Sequence, residues 1–254
     1  MSAAARGRRA ACLALASFAL VALAADPAPP VPAAPAPRQA LAGEARAAFL
    51  RKIESRMAGI RSLAAEFKQE KRLRVFKQPV VSQGLLVFAR PDGLRWEITG
   101  PFRSLLVVSG RKAGKFEYTE GRRRALKIEA AEKGILSVMD QIRGWFAGKF
   151  DTQGDVYDME VFDAPAPSIV LRPRHEALRK SVQEIDVTLA PDLATVAVVT
   201  LIENQGDRTE MRFTELRRDA AFPQELFSVS DPAETSRDAL AKAPALPPPA
   251  PAKN

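Results

Sequence analysis

The chain has 254 residues, 46% of them hydrophobic and 27% charged, with a formal net charge of +8, one histidine and one cysteine. A single Cys cannot close an intrachain disulfide, and one His with one Cys falls short of the common zinc sites. The mild basic excess is spread along the chain without a recognisable nucleic-acid-binding motif, which removes nucleic acid from the candidate partners.

Residues 1–24 read as a secretory signal peptide. Arg6, Arg8 and Arg9 give a positive start, Ala10 to Leu23 an uncharged apolar run, and Ala22-Leu23-Ala24 a small-residue cleavage site. The run is short for a spanning helix. An uncleaved anchor is the alternative, and Cys12 lies too early in the run for a lipoprotein signal. Cleavage removes Cys12 and three arginines but no acid, so the balance of +8 becomes +5. A cysteine-free exported domain of this size points to the bacterial periplasm, with a core that stands without disulfides.

Residues 25–38 hold six prolines among alanines and read as an extended linker. A domain over 39–230 follows, and the Pro/Ala-rich composition of 231–254 predicts a disordered tail. The domain opens on a helix: Leu41, Ala45, Phe49, Ile53 and Met57 recur every fourth residue, and Gly59 is a plausible terminator.

The period then changes to two. Leu63, Ala65 and Phe67 alternate with polar neighbours, and Leu73 and Val75 resume the pattern. Further strands are predicted at Val81 to Ala89, Leu94 to Thr99, Leu105 to Val108 and Phe116 to Thr119, punctuated by Gly and Pro at hairpin spacing. Arg122-Arg123-Arg124 reads as a solvated strand end or hairpin, or as a contact for anionic lipid head groups. A second helix carries the stripe Ile135, Val138, Met139, Ile142 and Phe146, with Leu136 and Trp145 beside it. Strands return at Val156 to Phe162, Ser168 to Arg172, Val182 to Leu189, Thr195 to Glu203 and Thr209 to Leu216. Ten or so strands with two helices predict an α+β domain: one strongly curved antiparallel sheet whose concave face is covered by helices.

No catalytic constellation stands out. The single histidine, His175, sits in a turn-like segment, and no nucleophile elbow, phosphate loop or dinucleotide fingerprint is present. No cofactor and no metal are expected, and the chain reads as a binder rather than an enzyme. Alternating apolar residues on a curved sheet either fill its interior or line a chamber for an acyl chain, and periodicity alone leaves both open.

Residues 60–69 (Ile-Arg-Ser-Leu-Ala-Ala-Glu-Phe-Lys-Gln), Ser82 to Pro91, Leu94-Arg95-Trp96-Glu97, Gly100-Pro101 and Leu105 to Gly110 occur in an order and spacing similar to those of the LolA-type outer-membrane lipoprotein carriers. The likeness is greatest to a divergent LolA-like branch of that family. The resemblance implies an incomplete antiparallel β-barrel of ten to eleven strands with helices over its mouth. It also implies a monomer that takes acylated lipoprotein or lipid cargo from an inner-membrane ABC releaser to an outer-membrane acceptor. Arg90 matches the family arginine that bonds to the lid, and Trp96 the family tryptophan. Leu86, Phe88, Leu94, Leu106 and Val108 would line the acyl cavity, although the sequence leaves open which alternate set points inward. Ile135, Met139, Ile142 and Phe146 would form the inner face of the lid if the second helix is the lid. The resemblance also allows a lipid- or lipoprotein-sensing regulatory domain on the same scaffold, or an accessory factor for glycolipid or exopolysaccharide export.

Overall fold

The computed structural model describes residues 38–127, 144–145, 150, 156–180, 182–203 and 206–247. The signal-peptide and linker readings lie outside them, apart from Arg38. Helix α1 (Gly43–Ala58) leads into six strands: β1 (Ser62–Arg72), β2 (Val80–Ala89), β3 (Gly93–Gly100), β4 (Ser104–Ser109), β5 (Lys112–Thr119) and β6 (Arg122–Leu126). Five more follow: β7 (Tyr157–Phe162), β8 (Ser168–Pro173), β9 (Val182–Leu189), β10 (Val196–Glu203) and β11 (Arg208–Arg218). All eleven join one sheet in the order β6-β5-β4-β3-β2-β1-β11-β10-β9-β8-β7. Every pairing is antiparallel, and the edge strands β6 and β7 do not pair with each other, so the barrel is open.

Two strand expectations change. Strand β6 contains the arginine triplet and has no apolar alternation to announce it; charge is what an unpaired edge tolerates. Leu73 and Val75 do not extend β1. The strand stops at Arg72, and Val75 stands 83% exposed in the β1–β2 connection.

Helix α1 lies across the strands. Just before it, Leu41 N–H donates to Val161 O on β7 (2.7 Å); just after it, the Arg90 side chain at the end of β2 bonds to Ile60 O. Sixteen residues make a helix of about 24 Å, which matches about five strand spacings. Both anchors lie at the end where β1 begins, so the helix closes that end of the inner face. Ile53 and Met57 are fully buried there, while Ala45, on the same predicted stripe, is exposed.

The outer face is covered by the chain's own C-terminal arm. Ala220, Phe222, Leu226, Phe227 and Leu240 pack on Leu85, Val87, Leu105, Val107 and Phe116. Gly114 allows this approach, because a Cβ there would collide with Val229 O. The expectation of a disordered tail from residue 231 is corrected over 231–247: Ala221 N–H donates to Pro244 O (2.7 Å), Leu246 N–H to Asp219 O (2.6 Å), and Ser236 caps a helix at Arg237–Ala241. Composition misleads here because few apolar side chains are needed. Leu240 with Ala233 and Ala243 completes the cluster, and charged contacts supply the rest.

Those contacts centre on Glu234, which accepts from Tyr118 Oη (2.8 Å), Arg103 and Arg123. Burial raises the pKa of its carboxyl, but the bonds from Tyr118 and Arg103 and the arginine charges outweigh burial and hold it below 4.5. A carboxyl with a lowered folded-state pKa stabilises the fold fully above its unfolded pKa and loses that contribution as pH falls through the folded value. Urea unfolding of the protein and of Glu234→Gln is therefore expected to show a gap at neutral pH that closes as pH drops below 4.5. A gap independent of pH would show that the carboxylate charge does not hold the arm.

Candidate functional site

Strand register decides which side chains point inward. Leu86 pairs with Trp96 and Trp96 with Leu106, while Phe88 pairs with Leu94 and Leu94 with Val108. Paired residues share a face, so all six strand residues singled out from the sequence stand in two rows on the side crossed by α1. Leu86, Phe88, Leu94, Trp96 and Val108 are buried in one cluster with Ile53, Met57, Ile169, Leu171 and Val187; Leu106 packs against it half-buried. Ile135, Met139, Ile142 and Phe146 lie outside the described residues. Trp145 and Phe150, from the same stretch of chain, are buried in this inner cluster.

The cluster has an aromatic centre. The Phe67 ring lies 4.4 Å from Trp96, and Phe213 stands 6.1 Å from both, edge-on to the tryptophan. Offset and edge-to-face pairs of this kind each add about 0.5–1.5 kcal/mol beyond area burial. Gly84 faces Phe67 across the β1–β2 ladder, and a Cβ there would run into the Phe67 ring and Glu97 O. The ring therefore lies over bare backbone.

Burial weakens along the strands away from α1. Near the helix Leu63, Phe88, Leu94, Val187 and Ile169 are at most 2% exposed, whereas Ile98, Leu201, Met211 and Phe213 are only half-buried. An apolar hollow of about 300 Å³, lined by Leu63, Ala65, Val196, Ala197 and Phe213 among others, opens beside the cluster. That is at the small end of ligand pockets, which run from about 300 to 1,000 Å³. Phe213, Met211 and Leu201 were not among the sequence-derived candidates. Their alternation on β10 and β11 was visible, but only the pairing of β11 with β1 and of β10 with β11 puts them on the same face as Phe67.

Arg90 sits at the α1 end of this face. Its Nε donates to Ile60 O (2.7 Å) and its backbone N–H to Arg61 O (2.8 Å), which ties β2 to the junction between α1 and β1. The partner that the resemblance implies is the lid; the second helix, the candidate for it, lies mostly outside the described residues.

The outer face differs in chemistry. Arg95 and Glu97 are buried beneath the arm: Arg95 Nη2 donates to Glu97 Oε2 (2.7 Å) and Nη1 to Ala233 O (2.8 Å). Arg103 donates to Glu97 Oε1 through Nε (2.9 Å) and Nη2 (2.6 Å). Mutual attraction and these hydrogen bonds offset the desolvation cost of burying such charges, and removing one partner would leave the other buried and unpaired. A cavity of about 850 Å³ adjoins this network, lined by Lys68, Thr99, Arg103, Thr214 and Arg237 together with Phe67, Gly84 and Leu85. Arg103 pairs there with Glu97 and Glu234, and Arg237 with Glu66, so a ligand in this cavity would lie against paired charges. His175 is exposed ahead of the short helix Glu176–Arg179, away from both faces. Among the described residues, no group of three His, Cys, Asp or Glu side chains could hold a metal.

The fold and site thus define an open antiparallel half-barrel with an apolar inner face crossed by a helix. The family model for the outer membrane lipoprotein carrier protein LolA matches residues 58–230, and the chain belongs to that family. An outer-membrane lipoprotein carrier protein from Dechloromonas aromatica (strain RCB) is 27% identical over 177 residues, covering 68% of this chain and 79% of that protein. Among solved structures, a DUF1329 family protein from Desulfovibrio piger superposes with a TM-score of 0.42 at 10% identity, over 72% of this chain and 97% of that one. A LolA superfamily protein from Nitrosomonas europaea gives 0.36 at 8% identity, over 72% and 96%. These superpositions are loose, and membership rests on the sequence match.

Gly84→Ala is expected to cost about 1–3 kcal/mol by overpacking the Phe67 ring, measured as a lowered urea midpoint. Near-UV circular dichroism is expected to lose the aromatic signal of the Phe67–Trp96 pair. An unchanged midpoint and spectrum would mean that the ring does not depend on the bare backbone.

Proposed function

We propose that this protein is a periplasmic carrier that binds the acyl chains of lipoproteins or related lipids against its inner face and ferries them from inner to outer membrane. The single observation that carries the reading is the graded apolar face: sealed by α1 at one end and only half-buried around Ile98, Leu201, Met211 and Phe213. Each acyl methylene moved there from water contributes about 0.8 kcal/mol, so a few methylenes hold a tail without any catalytic group. Family membership supports the same reading, since the matched relatives are named outer-membrane lipoprotein carriers. On this reading the protein acts as a monomer, receives cargo from an inner-membrane ABC releaser and gives it to an outer-membrane acceptor. Leu86, Phe88, Leu94, Trp96, Leu106 and Val108 form the floor of the acyl site. Arg90 fixes the α1 end, and Ile135, Met139, Ile142 and Phe146 close over the tail. No catalytic role is assigned to any residue.

Purified protein is expected to retain lipid detectable by mass spectrometry and to take up a fluorescent acylated peptide. Met211→Lys places a charge on the half-buried part of the face and is expected to weaken uptake roughly tenfold or more, the equivalent of about two methylenes. Its urea midpoint should stay near that of the parent. Absence of both lipid and uptake in the parent protein, or unchanged uptake in Met211→Lys, would sink the reading.

A further inference from the structure

The two ends of the sheet are unequal. Connections β2–β3, β4–β5, β7–β8 and β9–β10 lie at the end closed by α1, and connections β1–β2, β3–β4, β5–β6, β8–β9 and β10–β11 lie at the other. Every large hydrophobic residue that is exposed among the described residues sits at this second rim or in the strand start beside it: Val75, Phe76, Val80, Val81, Phe102 and Leu178. Val75 and Phe102 are 83% and 86% exposed, which no packing within the domain explains. Scattered single apolar residues are ordinary on a protein surface, but confinement to one rim is not.

Charge follows the same asymmetry. Residues 71–80 contain Lys71, Arg72, Arg74 and Lys77 and no acid. The β8–β9 connection adds Arg174, Arg179 and Lys180 against Glu176. Partners do exist on this rim, such as Glu203 for Lys71 at 3.1 Å and Glu70 for Arg72 at 3.7 Å. Paired charges largely cancel at a distance, so the positive field here comes from the excess of Lys and Arg over acids in these two segments.

Counted along the sheet, the β3–β4 and β8–β9 connections are six strand spacings apart, about 29 Å of rim, so the tips are spread along the rim with basic side chains between them. A row of projecting apolar tips with basic flanks fits a flat, negatively charged, apolar-cored surface, which is a bilayer containing anionic lipid. We propose that this rim is a membrane-docking edge. Val75, Phe76 and Phe102 enter the boundary between head groups and acyl chains, and the basic residues of 71–80 meet the lipid phosphates. The inner face is least covered toward this same rim, so docking would present its half-buried end to the membrane. The proposal goes beyond the carrier reading and does not depend on it.

The test uses vesicles without acylated cargo, so its failure is separable from that of the carrier reading. The full chain is expected to co-sediment with phosphatidylglycerol–phosphatidylcholine vesicles, to do so less as salt rises, and to leave pure phosphatidylcholine vesicles largely unbound. The triple variant Val75→Ser, Phe76→Ser, Phe102→Ser should bind roughly tenfold more weakly or worse, with an unchanged urea midpoint because all three residues are exposed. Phe102→Trp should add emission that brominated lipid quenches, since Trp96 and Trp145 are buried. Three results would overturn the proposal: no binding by the parent chain, equal binding by the triple variant, or an unquenched Trp at 102. Residues 1–37 are the same in every variant, so binding that arises there appears as equal binding. Intact vesicle binding by the triple variant with loss of cargo transfer would instead place a protein partner on the rim.

Discussion

Strand β1 pairs with β2 along one edge and with β11 along the other, and the rest of the molecule follows from that double pairing. It joins a six-strand meander from the first half of the domain to a five-strand meander from the second. Ten residue pairs tie β1 to each neighbour, and the alternation of side chains along it fixes which residues of both meanders face inward. Phe67, in the middle of β1, then meets Trp96 from one meander and Phe213 from the other. Shifting β1 by one residue would turn Phe67 outward and Glu66 into the core.

A sheet of eleven strands has two faces that need cover, and the chain covers them differently. The outer face of β1 to β5 is covered in part by residues 219–247, through an apolar cluster and a charged network on Arg95, Arg103, Arg123 and Glu234. The inner face is crossed by α1 at one end and left with half-buried apolar side chains toward the other. A lipid tail laid against paired charges desolvates them without replacing their partners, whereas a surface of half-buried Ile, Leu, Met and Phe gains by admitting it. The proposed carrier function lies in that contrast.

Much of this was legible in the sequence. Period-two alternation between Gly and Pro signals located ten of the eleven strands, and a fourfold stripe located α1. Leu86, Phe88, Leu94, Trp96, Leu106 and Val108 were recognised as a set, but alternation is symmetric with respect to the two faces, so only register could orient them. Strand β6 escaped because an edge strand made of arginines has no apolar period. The arm at 231–247 escaped because its proline content hid a few apolar contacts and long-range arginine bonds that no local window contains. The role of Gly84 was equally hidden, since its partner Phe67 is seventeen positions away and meets it only across the ladder.

The central claim is that acyl chains lie on the inner face and not on the outer one. The most direct measurement is photocrosslinking with a diazirine-bearing fatty acyl probe, followed by peptide mapping by mass spectrometry. The account predicts adducts on Ile98, Leu106, Leu201, Met211 and Phe213. Adducts confined to outer-face residues such as Lys68, Thr99 and Thr214, around the polar cavity, would contradict it.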